Sequence, residues 1–193
     1  MADPSYIVDN VLTDGEAWVA LASETLGSAT ATVTFTSTND GQVGDWSQYT
    51  DLVIISYSRV DTAYVHGWIG VNLNNDTGSN YVQQWFYSDG ASAVAVKQSG
   101  TLWYMGSMGG GAAEDEFGVD VFHIFDINTG KYKTSLGMRG ADSDGDGFTS
   151  LQGGTWQSQA AVSEIDLTEA DGGDIDADSR FDLFGVLPRM VTA

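Results

Sequence analysis

Apolar and polar side chains alternate in short runs along this chain, and clusters of Gly, Asn, Asp and Ser separate the runs. Ala29, Ala31, Val33 and Phe35 interleave with threonines, the period-two pattern of a strand with one buried face. Leu52 to Tyr57 is a denser β-branched run, as expected where both faces of a strand are covered. His66 to Leu73 and Tyr81 to Tyr87 read as two further strands, joined by the turn-forming NNDTGSN. Ser92 to Val96 and Thr101 to Met105 flank Gly100 and read as a hairpin. Phe117 to Ile127 sets Phe117, Val119, Val121, His123, Phe125 and Ile127 on one face, so His123 is expected as a satisfied core or interface histidine. Lys131 to Leu136, Ala161 to Leu167 and Phe181 to Leu187 complete about ten strands, at the spacing of an antiparallel sandwich.

One stretch sends a mixed signal. Thr13-Asp14-Gly15-Glu16 has the form of a helix capping box, with Gly27 placed as a helix stop. Gly15 in the first turn and the alternation of Trp18, Ala20 and Ala22 favour a strand instead. The Gly-rich, acidic stretch from Gly106 to Glu116 is expected to be a mobile loop. No repeat or composition break divides the chain. The expected organisation is an N-terminal arm or extension over residues 1–15, either an ordinary terminal strand or frayed end or an arm that buries Tyr6, Ile7, Val8, Val11 and Leu12 on a neighbouring subunit, and a single β-sandwich domain over residues 16–193.

Composition narrows the chemistry. With 193 residues, 42% of them apolar, the chain suffices for one sizeable core. It has no Cys, which excludes disulfides, thiolate metal sites and cysteine nucleophiles. Seven Lys and Arg stand against 27 Asp and Glu, a formal charge of −20. So few cations supply no phosphate-neutralising groove, and an anionic bilayer would repel the chain; neither nucleic acid nor membrane is expected as a partner. The N-terminal MADPSYIVDN lacks the basic and apolar regions of a signal peptide.

Four segments, in order, carry a family resemblance. ASETLGSATATVTF (Ala22 to Phe35), YTDLVIISYSR with VNLNNDTGSNY (Tyr49 to Arg59, Val71 to Tyr81), WQSQAAVSEIDL (Trp156 to Leu167) and the closing SRFDLFGV (Ser179 to Val186) resemble a tailed-bacteriophage virion structural protein family. The family's last strand has the form S-x-F-x-L-[YF]-G-[IV]. The resemblance implies an all-β fold, an antiparallel β-sandwich that is jelly-roll-like, in a non-enzymatic particle component. It implies a capsid decoration or cement protein on the outer surface of the virion, a homo-oligomer (a trimer would suit local threefold sites) bound to the major capsid protein. The family also includes tail fibres, so the alternative is a receptor-binding, lectin-like module that attaches to host glycans.

Two departures from the family stand out, the N-terminal extension and the acidic loop between Gly140 and Gly154. Within that loop, Asp142, Asp144 and Asp146 place carboxylates at alternate positions before Gly147, the start of a calcium loop. Gly153 stands where an EF-hand requires a bidentate Glu, so an EF-hand is excluded. What remains is either a non-EF Ca²⁺ site or a solvated Asp/Gly turn, the second being favoured. No nucleophile–base–acid grouping and no zinc-binding His motif occurs, and the chain is not expected to be an enzyme. The aromatics are the stronger hint. Trp68, Trp85, Phe86, Tyr87, Trp103 and Tyr104 crowd the middle strands, and consecutive Trp85-Phe86-Tyr87 must point to both sides of a sheet. At least one ring is therefore expected to leave the core and meet a partner or a sugar.

Overall fold

The computed structural model describes residues 7–8, 11–12, 17–38 and 44–187. Two short strands, β1 (Ile7–Val8) and β2 (Val11–Leu12), pair only with each other. The expected arm over residues 1–15 otherwise lies outside the described residues. The rest is β3 (Trp18–Thr25), β4 (Thr32–Thr36), β5 (Asp51–Val60), β6 (His66–Leu73), β7 (Tyr81–Ser88), β8 (Ala93–Gly100), β9 (Trp103–Gly109), β10 (Gly118–Phe125), β11 (Lys133–Ala141), β12 (Phe148–Trp156), β13 (Glu164–Glu169) and β14 (Arg180–Val186). A single 3₁₀ turn, Trp46–Gln48, is capped by the Asp45 carboxylate accepting from the Ser47 N–H. Among the described residues there is no α-helix, so the strand reading of Trp18 to Thr25 holds over the capping-box reading.

The strands divide into a wide sheet, β3-β14-β5-β10-β11-β12-β7-β8, and a narrow one, β4-β13-β6-β9. A two-residue parallel bridge from Arg59 and Val60 to Met108 and Gly109 joins them. The narrow sheet and the β5, β10, β7 and β8 positions of the wide one reproduce a jelly-roll strand order, with β11 and β12 inserted as a hairpin. The all-β, jelly-roll-like sandwich is thus observed.

The core follows from alternation. Leu52 and Ile54 of β5, Phe122 and Ile124 of β10, and Leu183 of β14 face Val33, Phe35, Ile69, Val71, Ile165 and Leu167 of the narrow sheet. Trp103, Tyr81 and Trp156 close one end, with Tyr81 and Trp103 ring centroids 5.5 Å apart. The NNDTGSN turn is built around Asp76, whose carboxylate accepts from the Gly78 N–H, the Asn80 amide and the Trp156 indole. One turn, crossing from β6 in the narrow sheet to β7 in the wide one, is therefore tied to the end of β12.

Three sequence expectations change. Gly100 does not sit in a hairpin: β8 pairs with β7 in the wide sheet, while β9 pairs with β6 in the narrow one. Residues 101–102 are the crossover between layers. The stretch from Gly106 to Glu116 is not a free loop, because its first part is β9 and the rest is clamped by Arg59. That guanidinium donates to the carbonyls of Gly110, Ala112, Ala113 and Glu116 and pairs with Asp176 at 3.1 Å. Finally, the buried face of β10 is Gly118, Asp120, Phe122 and Ile124; Val119, Val121, His123 and Phe125 face outward. His123 is half-buried there, stacked on Phe125 and 3.1 Å from the Asp51 carboxylate.

Candidate functional site

Two regions depart from what a plain sandwich needs. The first is inside, where β9 forms the edge of the narrow sheet over residues 103–107. A buried edge with unpaired N–H and C=O groups would be costly. The wide sheet supplies the missing partners from its side chains. Gln83 of β7 accepts from the Tyr104 N–H at 2.8 Å and donates to the Tyr104 carbonyl at 2.9 Å. Asp120 of β10 accepts from the Gly106 N–H at 2.6 Å, and Arg139 of β11 donates to the Ser107 carbonyl at 3.1 Å. Gly106 makes room for this: a Cβ there would fall 2.2 Å from Arg139 Nε.

The far side of β9 holds the aromatic cluster. The Arg139 guanidinium carbon lies 4.3 Å from the Trp68 ring centre and 4.1 Å from that of Phe148, in the corner between two near-perpendicular rings. Trp68 also touches Trp85 and Tyr104, at 5.8 and 5.9 Å between centroids, and Phe148 stacks on Tyr87 and His66. Arg139 and Asp120 are both almost wholly buried. Burial pushes the Asp120 carboxyl up to about 7, against the Gly106 N–H and Arg139, which pull it down; burial brings Arg139 down to about 9. His66 is lowered by burial and by Arg139, with Asp146 opposing. Arg139 Nε and Nη1, Ser150 Oγ, Gln152 Nε2 and Trp85 Nε1 have no protein partner, a polar seam of the kind that holds buried water. Chemically this cluster is a brace for an edge strand, with Trp68, Tyr87 and Tyr104 only half-buried at its rim.

Asp142, Asp144 and Asp146 lie between β11 and β12. Asp142 accepts from the Gly145 N–H at 3.0 Å, while Asp144 and Gly145 turn the chain at φ 51° and 85°. Among the described residues no group of three or more His, Asp or Glu side chains could hold a metal ion. The loop's geometry is that of a backbone turn.

The second region is the outer face of the wide sheet. On β11 the usual pattern is inverted: Lys133, Ser135, Gly137 and Arg139 point inward, while Leu136 and Met138 point outward, 47% and 59% exposed. Register carries that apolar row across the sheet, from Ile55 through Val121, Met138, Leu151 and Phe86 to Ala95. Of the consecutive rings Trp85, Phe86 and Tyr87, of which at least one was expected to leave the core, Phe86 does so, 57% exposed. The outward positions of β10, β11, β12 and β7 are Val, His, Phe, Thr, Leu, Met, Gly, Gln and Ser; none is Asp, Glu, Lys or Arg. In a chain with 27 carboxylates these four strands present none outward; Asp51 of β5, 3.1 Å from His123, and Lys97 of β8 flank them, and exposed apolar patches are frequent at interaction sites. No protein-family model and no curated protein matches the chain. Its role therefore has to be argued from these surfaces.

Sequence reasoning placed Trp68, Trp85, Phe86 and Tyr104 among the aromatics of interest but missed Gln83, Asp120 and Arg139. The local sequence carried no signal of the inversion: in KTSLGMRGA, Lys133 and Arg139 share one parity and Leu136 and Met138 the other, the pattern of an ordinary strand with its apolar side inward.

Proposed function

We propose that this protein is a non-enzymatic structural component of a bacteriophage particle, a decoration or cement protein that braces the head by seating on the major capsid protein. The observation that carries the reading is the separation of charge on the sandwich. Carboxylates crowd the loops, whereas the outward positions of β10, β11, β12 and β7 present apolar and uncharged polar side chains and no carboxylate. That division suits a module that must stay soluble on an outside surface and still make broad, non-covalent contacts. Binding only to the assembled shell would stabilise that shell by mass action. The four resembling segments supply the phage context; two of them, residues 49–59 and 179–186, hold the paired strands β5 and β14 but for Val60.

The test is the protein's place in purified particles. Quantitative mass spectrometry and labelling should find it on the head, in a copy number comparable with that of the major capsid protein. A handful of copies at the tail tip would overturn the decoration reading. Crowded copies of a −20 chain should also loosen from the head at low ionic strength, where the Debye length grows to about 30 Å at 0.01 M.

A second reading draws on the half-buried rings of Trp68 and Tyr104, 5.9 Å apart at the rim of the cluster. Accessible aromatic rings with a polar tip are the components of a sugar platform in a tail-fibre or receptor-binding lectin. Retention on host-surface glycans, lost in Trp68→Ala, would favour it.

A further inference from the structure

We propose that the apolar central part of the wide sheet's outer face, on β10, β11, β12 and β7, closes a two-fold dimer by packing against the same face of a second copy. The inference rests on reading that face as a docking surface, and it names the occupant. Charge selects a second copy. Two chains of −20 repel wherever their loops meet, whereas on the outward positions of β5, β10, β11, β12, β7 and β8 the one carboxylate is Asp51, already held by His123 at 3.1 Å, and Lys97 adds a cation. A basic partner would be drawn to the acidic loops and find nothing to pair with here.

Size agrees. The row from Ile55 to Ala95 crosses six strands, about 24 Å, and four outward positions per strand extend about 20 Å. That is roughly 500 Å² in projection and more with side-chain relief, close to the 600–800 Å² per partner of a stable contact.

Shape agrees as well. Gly153, where a Cβ would meet only the Ser135 carbonyl at 3.7 Å, opens a depression of about 260 Å³ beside Leu136, Leu151 and Phe86. Phe86 and Met138 protrude next to it, so the patch carries both knob and hole, as an isologous contact requires. A patch that maps onto itself has the axis through its centre, which places Met138 opposite its own counterpart.

Sedimentation equilibrium of the full chain should give twice its 20.5 kDa mass. Met138→Glu and Phe86→Glu should each weaken association more than tenfold while keeping the parent's near-ultraviolet spectrum, because both positions are exposed. The chain lacks Cys, so Met138→Cys should yield a disulfide-linked dimer on mild oxidation, whereas Thr36→Cys, on the outer face of the narrow sheet, should not. A parent that sediments as a monomer would overturn the pairing. So would a dimer indifferent to both Glu substitutions. These outcomes belong to the isolated protein, whereas copy number and position on particles decide the decoration reading, so each idea can fail without the other.

Discussion

Gln83→Ala should unseat the edge of β9. In the parent, the Gln83 side chain makes three hydrogen bonds, two to the main chain of Tyr104 and one at 2.7 Å to Gln152 Oε1. Gln152 can find another partner by rotation, but the Tyr104 N–H and carbonyl cannot, because the sheet ends there. Each buried main-chain group left unpaired costs about 1–3 kcal/mol, so the expected loss is about 2–6 kcal/mol. Against a typical domain stability of about 5–15 kcal/mol this is a large fraction. Urea unfolding followed by tryptophan fluorescence measures it, with Gln84→Ala, an exposed neighbour facing the opposite side, as control. Amide exchange gives the local readout: protection of the Tyr104 N–H should fall in Gln83→Ala and not in the control. A loss under about 1 kcal/mol with unchanged protection at Tyr104 would show that side chains of the wide sheet do not brace this edge, and the account of the interior would fail.

Three other outcomes follow from the same geometry. Arg59→Lys keeps the charge but cannot reach four carbonyls and Asp176 together, so limited proteolysis should cut between Gly110 and Glu116 far faster than in the parent. The Asp120 carboxyl is raised to about 7 from an ordinary 3.8, so between those values the folded state holds a proton that the unfolded chain has released. Stability from this group is therefore present at acidic pH and lost as pH rises towards 7, with a ceiling of about 4 kcal/mol, and Asp120→Asn should flatten that part of the urea-midpoint profile. Calcium or chelator should leave the thermal midpoint unchanged in the parent and in Asp144→Ala alike, because Asp142 is engaged in its own turn; a calcium-dependent rise abolished by Asp144→Ala would overturn this.

Strand content was legible in the sequence because alternation is a local signal, and β4, β6 and β7 show it plainly. The all-β class followed from that signal, as did the expectation that at least one ring of Trp85-Phe86-Tyr87 leaves the core. Facing was harder. On β10 and β11 the apolar residues Val119, Leu136 and Met138 invite an inward assignment, yet they point to solvent. What reversed them was a non-local demand: the edge of β9 needs Gln83, Asp120 and Arg139 beneath it, and the sheet's period of two then throws their neighbours outward. No window of sequence around Met138 contains that demand. The layer change at Gly100 was hidden for the same reason, since pairing of β9 is decided by β6, some thirty residues earlier. Of the candidate sites, the aromatic cluster was visible as composition, but its arginine was not.

The order of the strands also has a consequence for how the chain is made. Thr36 of β4 pairs with Glu164 of β13, and Thr25 of β3 with Arg180 of β14, so the earliest strands wait for the last. A ribosome adding about 5–20 residues per second needs on the order of ten seconds to span that interval. During it, residues 18–36 have no partner to pair with in either sheet. Such long-range closure slows folding and leaves strand edges open to other chains. The threonine-rich β4 is a mild sequence to leave waiting, and Glu24 lends β3 a charge. Synthesis rate, and not only the finished contacts, should therefore set how much of this protein reaches its native sandwich.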